Sequence, residues 1–222
     1  MLSPEQFVAS KSVNSERWLS ARREGVTATQ VAKAAAGPGG FEQAVEDYRA
    51  DFVEQDNPYM AFGRAWEGPI SMFLKDNFGV MPNDWLMRHH DNWHHLATPD
   101  GVTLGHDAIA EIKTTGKDWN PERIPVQYRR QVQWQLYVTG AEFCYFAWLL
   151  REERDGAFMP AWFDPKVIRI ERDGEMISEL VMVANRLWER VSDDGSCDYR
   201  GARGGSVCSA SERCERGGCA GV

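Results

Sequence analysis

Apolar side chains recur at helical spacing in three long stretches of this chain and cluster in short runs between them. Residues Pro58 to Phe78 place Ala65, Ile70, Phe73 and Leu74 on one partly periodic face and predict a helix. Pro69 removes a backbone donor inside it and predicts a kink. Val126 to Tyr137 predicts an amphipathic helix with Val132, Trp134 and Leu136 as its apolar surface. Gln131 and Gln135 stand one turn apart there and share a face, with Tyr128 nearby. Gly174 to Val191, with Met176, Ile177, Leu180, Val183, Ala184 and Leu187 at helical intervals, predicts a helix that closes on a sheet.

The shorter runs predict strands. Phe143 to Leu150 is continuously apolar, as a central strand buried on both faces would be, and Val167 to Arg172 predicts a later strand. Asp100–Leu104 and Ala108–Lys113 flank Gly105-His106-Asp107 and predict a hairpin. Nearer the N-terminus, Thr27 or Thr29 caps a short helix through Gln30, Val31 and Lys33 to Ala36, stopped by Gly37-Pro38. The order of elements predicts an α/β sandwich, a mixed sheet flanked by helices.

The hairpin carries the candidate chemistry. Closed at Gly105, it sets Asp100 across from Glu111, and strand alternation puts Glu111 and Lys113 on one face with Ala110 and Ile112 on the other. Two carboxylates suit a hard cation such as Mg²⁺ or Mn²⁺, and an ammonium one pleat away suits attack of metal-activated water on a phosphate. An acidic residue two places before a lysine arises by chance about once or twice in a chain of this length, so the motif alone does not identify a site. Asp164-Pro165-Lys166 repeats it, but a proline there marks the start of a strand.

Context carries the rest. Trp18, Arg22 with Gly25-Val26-Thr27-Ala28-Thr29, Gly63-Arg64-Ala65-Trp66-Glu67, Pro99-Asp100-Gly101, Glu111-Ile112-Lys113, the stretch Tyr128 to Gly140 and the strand ending at Arg172 occur in one order. That ordered set resembles the lambda-exonuclease or YqaJ-type viral recombinase family of PD-(D/E)XK nucleases. The resemblance implies a restriction-endonuclease-like core and, for each matched residue, a role. Glu67, Asp100 and Glu111 would be metal-site carboxylates, and Ile112 would lend its backbone carbonyl. Lys113 and Gln131 would position and activate water, Gln133 would pack or meet DNA, and Arg22 with Thr29 would grip a terminal phosphate. Here a threonine stands where the family has serine, and the hydroxyl is kept. Without the family pattern, Glu67 reads as a solvated helix residue, Gln131 as surface filler, and Arg22 and Thr29 as an ordinary surface arginine beside a helix cap.

Composition bounds this reading. The chain has 222 residues, enough for one domain with a substantial core, and a net charge of −8, unexpected for a binder of phosphates. A focused basic patch would suffice, and Arg22, Arg23, Lys33, Lys113, Lys117, Arg123, Arg129 and Arg130 are its candidates, while Glu42 to Glu54 reads as a solvated acidic face. No run of eighteen apolar residues and no leader pattern is present, so a soluble cytoplasmic protein without a membrane partner is expected.

Residues 1–191 are expected to form the nuclease-like domain. Residues 192–222, rich in Gly, Ser and Arg, hold Cys197, Cys208, Cys214 and Cys219, four of the five cysteines, without a CxxC pair. Too few large apolar residues lie there to support a core, and a disordered appendage is expected. His89-His90, His94-His95 and His106 lack the HExxH pattern and read mostly as surface residues. The resemblance therefore implies a Mg²⁺-dependent exonuclease acting 5′→3′ on one strand of linear duplex DNA in phage-type recombination. Its partners would be a duplex DNA end, a single-strand annealing protein and, as a homotrimer, copies of itself. Two alternatives are a structure-selective endonuclease or repair nuclease of the same fold, and a catalytically silent DNA-binding assembly protein.

Overall fold

The computed structural model describes residues 2–50 and 57–192. Its N-terminal part holds β1 (Phe7–Ser10), α1 (Ser15–Arg22), β2 (Val26–Thr27), α2 (Ala28–Ala34), α3 (Pro38–Arg49) and α4 (Pro58–Phe78). Short strands follow: β3 (Val80–Pro82), β4 (Trp85–Arg88), β5 (His95–Ala97) and β6 (Gly101–Thr103), then the longer β7 (Ala108–Thr115). The chain continues through α5 (Val126–Thr139), β8 (Phe143–Arg154), β9 (Ala157–Pro160), β10 (Lys166–Glu171) and α6 (Gly174–Ser192).

The expected mixed sheet runs β10-β8-β7-β6-β3, with β9 paired to the far end of β8. β7 and β8 are parallel over their apolar lengths, from Ala108 beside Phe143 to Thr115 beside Leu150. Both faces are covered, which is why Phe143–Leu150 has no polar alternation. On one face α5 packs Val132 and Leu136 against Ile109, Phe146 and Trp148. On the other, α4 packs Phe62, Ile70 and Leu74 against Ala110, Ala147 and Leu149. A second sheet, β1-β4-β5-β2, was not legible in the sequence because its strands are two to four residues long.

Several expectations need correction. Ala65 faces solvent and Phe62 supplies that part of the buried face of α4, which ends at the left-handed Gly79 (φ 68°). The turn after β6 begins one residue early, leaving Leu104 85% exposed, because Thr103 Oγ1 bonds Asp107 Oδ1 at 2.6 Å and fixes the turn there. α6 does not cover the larger sheet and meets the smaller one, where His95 bonds Asn185. Its buried stripe, Leu180, Ala184 and Leu187, joins a cluster with Val31, Phe41, Trp134 and Val138, so α6 packs on α2, α3 and α5. The four tail cysteines, and Asp51 and Glu54 of the acidic stretch, lie outside the described residues.

Candidate active site

The hairpin closes in the expected register. Gly101 faces Ala110 and Val102 faces Ile109, which sets Asp100 across from Glu111. Two bonds lock the pair: Asp100 N–H donates to the Ala110 carbonyl at 3.0 Å, and Ile112 N–H donates to Asp100 Oδ2 at 2.7 Å. Gly101 makes this possible, since a Cβ there would lie 2.6 Å from Val80 Cγ1 and push β3 off β6.

The pleat turns Glu111 and Lys113 toward α5, and Glu111 is only 2% exposed there. Gln131 Nε2 donates to Glu111 Oε1 and Gln135 Nε2 to Glu111 Oε2, each at 2.7 Å. Lys113 Nζ forms an ion pair with Oε1 and lies over the Tyr128 ring at 5.4 Å. Three donors on one buried carboxylate hold it in one orientation. The i, i+4 spacing of the glutamines on α5 matches the two oxygens of a single side chain. Gln135 was placed on the right face by the sequence, but its role appears only when β7 lies beneath it.

Asp100 is the counterpart under strain. Burial, and then the charge of Glu111, push its carboxyl well above the ordinary carboxylate range, with a smaller push from Glu67; Lys113 and the Ile112 N–H oppose this without cancelling it. Burial disfavours the Lys113 charge as well, but Glu111 and Asp100 outweigh it and raise its pKa, so Lys113 is an ammonium at neutral pH. Like charges gathered on one cleft wall, with oxygen-only side chains, are the donor set that a hard divalent cation neutralises. The residues present therefore fit Mg²⁺ or Mn²⁺.

Glu67, Asp100, Glu111, Ile112, Lys113 and Gln131 all line one open cleft of about 610 Å³. A smaller cavity of about 280 Å³ adjoins it through Glu67, Thr98, Asp100 and Gln131, and there Arg22 and Thr29 sit with Lys11 and Trp18. The Arg22 guanidinium lies over the Trp18 ring at 4.6 Å and Lys11 Nζ lies 5.4 Å from the same ring. Burial lowers the pKa of Arg22, though a guanidinium stays charged at any ordinary pH. Thr27, not Thr29, caps α2, its N–H donating to Gln30 Oε1 at 2.8 Å, which leaves Thr29 exposed at the cavity. Gly25 brings this segment in close: a Cβ there would lie 2.1 Å from the His94 carbonyl oxygen. Lys11 was missed, and no local pattern singles it out.

Residues 17–142 match the YqaJ-like viral recombinase domain, more than half of the chain. The chain belongs to that family. The uncharacterized protein YqaJ of Bacillus subtilis (strain 168) is 27% identical over 197 residues, 83% of this chain. The match spans 58% of that relative's length. Among solved structures, an alkaline exonuclease (LHK-Exo) from Laribacter hongkongensis superposes with TM-score 0.65 and 22% identity, covering 80% of this chain and 92% of that one. A phage-related exonuclease from Haemophilus somnus 129PT gives TM-score 0.61 and 13% identity, over 75% of this chain and 93% of that one. The chain thus shares the PD-(D/E)XK-like fold of these exonucleases.

Other candidates lie away from the 610 Å³ cleft. Gln133 is structural: Nε2 donates to the Glu171 carbonyl at 2.7 Å and Oε1 accepts from Asp173 N–H at 2.8 Å, tying α5 to the β10–α6 turn. Of the proposed basic patch, Arg22 and Lys113 line the two cavities; Lys33 is paired with Asp47, and Arg129 donates to the Glu122 carbonyl.

Two of the five histidines depart from the expected surface position, while His90 and His94 are exposed and His106 is half-buried. His89 and His95 are buried, because His89 stacks on Tyr137 and His95 hydrogen-bonds Tyr137 and Asn185. Among the described residues, His89, His90 and Asp91 bring three ligand atoms within 4.8 Å of one another. His89 Nδ1 already accepts the Asp91 and Asn92 N–H groups, and His90 and Asp91 are exposed and bonded to each other, so this cluster reads as a turn.

No described helix is long and apolar enough to cross a membrane.

Proposed function

We propose that this protein is a divalent-metal-dependent DNA exonuclease. The observation that carries the reading is the Asp100–Glu111 pair facing an open cleft, with Lys113, Gln131 and Glu67 around it. Bound to Glu67, Asp100, Glu111 and the Ile112 carbonyl, Mg²⁺ or Mn²⁺ would supply Lewis acidity and a more acidic water.

The chain's own groups divide the remaining work. Gln131 and Gln135 fix the Glu111 carboxylate. Lys113, as an ammonium, neutralises charge that develops on the phosphate under attack, and Gln131 borders the space where water would sit. Arg22 and the Thr29 hydroxyl hold the terminal phosphate of the strand in the adjoining cavity. With a 5′ phosphate there, cleavage proceeds 5′→3′ and leaves a 3′ overhang, the substrate of a single-strand annealing partner in recombination. In this reading residues 1–191 are the nuclease domain and residues 192–222 an appendage. The enzyme works in the cytoplasm, as a homotrimer around the duplex.

The test is incubation with 5′-phosphorylated linear, 3′-labelled linear and closed-circular DNA, each with Mg²⁺ or with chelator. Release of 5′-terminal nucleotides from linear DNA only, abolished by chelator, is expected. Nicking of the closed circle would replace the exonuclease by an endonuclease, and binding without cleavage in any arm would end the enzymatic reading.

A further inference from the structure

The cleft holds a cation to which the site described above gives no role. β8 pairs with β7 only as far as Leu150 and then runs on with β9 as a two-stranded ribbon, starting at Arg151 beside Pro160. Arg151 is the first residue past the end of β7, and its side chain reaches the wall of the 610 Å³ cleft that holds Glu111, Lys113 and Thr114. The guanidinium lies over the Tyr59 ring at 4.4 Å and near the Phe158 ring at 5.8 Å, and those two rings are themselves 5.1 Å apart. Stacking on two aromatic faces fixes the plane of the guanidinium and leaves its N–H edge to donate.

Other cations of this sheet are used up. Arg154 is bonded to Glu152, Arg169 to Glu171 and Lys166 to Asp118. Among the described residues, Arg151 has no carboxylate and no hydrogen-bond partner. In a chain of net charge −8, a flat, unspent guanidinium facing a cleft is an anion site in waiting.

The position of that site relative to the carboxylates narrows the anion. Asp100 and Glu67 stand where the two cavities meet, with Arg22 on one side and Arg151 on the other. A strand whose terminal phosphate lies against Arg22, with its scissile bond at the carboxylates, runs past Arg151 if it continues along the 610 Å³ cleft. Tyr59, 52% exposed, offers a ring alongside. We propose that Arg151, seated on Tyr59 and Phe158, binds a backbone phosphate of the strand retained after each cleavage. This rests on the nuclease reading above and adds a binding residue to it.

The test uses a Lys113→Ala background with Mg²⁺, so that DNA is bound and not consumed. Fluorescence anisotropy follows a short linear duplex with 5′-phosphorylated or 5′-hydroxyl ends across a salt series. Adding Arg151→Gln is expected to weaken binding roughly tenfold for both ends and to reduce the slope of log affinity against log salt by about 1. Arg151→Lys should restore the slope while recovering affinity only in part, which separates a lost contact from a lost fold. Arg22→Gln should instead erase the difference between the two ends. An unchanged affinity and slope in Arg151→Gln, or a loss confined to 5′-phosphorylated ends, overturns the assignment of Arg151. If wild-type protein cleaves linear duplex normally while Arg151→Gln is indistinguishable from it in both affinity and KM, only this inference fails. If wild-type protein neither cleaves nor binds DNA, the nuclease reading fails with it.

Discussion

Gln135 donates to the Glu111 oxygen that Lys113 leaves free, at 2.7 Å across a buried gap between α5 and β7. Oε1 has two donors, Gln131 and Lys113, whereas Oε2 has Gln135. The two glutamines should therefore behave differently. Gln135→Leu strips the partner from a buried carboxylate oxygen and is expected to cost about 1–3 kcal/mol. For a chain of this size each 1 kcal/mol lowers Tm by roughly 2–4 °C. Gln131→Leu leaves Lys113 on Oε1 and should melt closer to wild type, yet lose more cleavage because Gln131 lines the cleft. Thermal melts beside a nuclease assay check the pair, and equal Tm losses would count against the division of roles.

Lys113 should matter to both rate and stability. Its folded pKa is raised above the ordinary lysine value by Glu111 and Asp100 against the opposing effect of burial. A raised lysine pKa contributes stability that is fully present below the unfolded value of 10.5 and is lost as pH climbs through the folded value. Lys113→Ala removes that contribution throughout the neutral range. The variant should keep its far-ultraviolet spectrum, melt a few degrees lower, and lose roughly 10²–10³-fold in cleavage, the scale seen when one electrostatic donor to a transition state is deleted. Cleavage within a few-fold of wild type would remove Lys113 from the chemistry.

Much of this was legible because the site is built from local patterns. A period-two strand, a Gly-centred turn and a Pro-Asp-Gly start suffice to set Asp100 opposite Glu111, and a one-residue slip would have buried Lys113 in the α4 face. Helices α4 and α5 were legible from their apolar stripes, and α4 also from Pro58 at its start. What stayed hidden depends on partners far along the chain. The burial of His95 is set by Tyr137 and Asn185, 42 and 90 residues away. The extension of β8 past Leu150 is polar and exposed, so no hydrophobic period marks Arg151 as part of the cleft. The apolar stripe of α6 fits a sheet or a helix pair equally well, and only the packed structure decides.

Asp100 carries a cost that a cation should relieve. Its folded pKa is raised by burial and by Glu111, so the contribution of this group to stability is complete below the unfolded value of 3.8 and declines as pH rises through the folded value. At neutral pH, metal-free protein bears the cost of that raised pKa. Asp100→Asn keeps an oxygen for the Ile112 N–H and removes the charge. It should therefore raise the metal-free Tm by a few degrees at about pH 7.5, with the gain shrinking toward about pH 4. Mg²⁺ should raise the Tm of wild type and not that of the variant, while cleavage by the variant is lost. Scanning fluorimetry across pH, with Mg²⁺ or with chelator, reads all of this. An equal Mg²⁺ response in both proteins would move the cation away from Asp100.

Acid should also act on the fold through His95 and His89. Both pKa values are lowered from 6.5 to about 4, in each case first by burial, so both rings are neutral in the folded protein. His95 donates from Nε2 to Asn185 Oδ1 at 3.0 Å and accepts from the Tyr137 hydroxyl at Nδ1, 3.1 Å away; Tyr137 in turn accepts from Asn92. A histidine with a depressed folded pKa contributes stability that is intact above 6.5 and is lost as pH falls through the folded value of about 4. Wild type should accordingly lose urea resistance steadily across that window. His95→Phe keeps a ring beside Trp134 but loses the bonds to Asn185 and Tyr137, so it should be weaker than wild type at pH 7 by about 0.5–1.5 kcal/mol for each. It should also lose less than wild type between about pH 6.5 and 4, because one of the two buried titrations is gone. Urea midpoints at three pH values distinguish the outcomes. A variant whose midpoint falls as steeply as wild type would show that His95 is not the group that acid protonates.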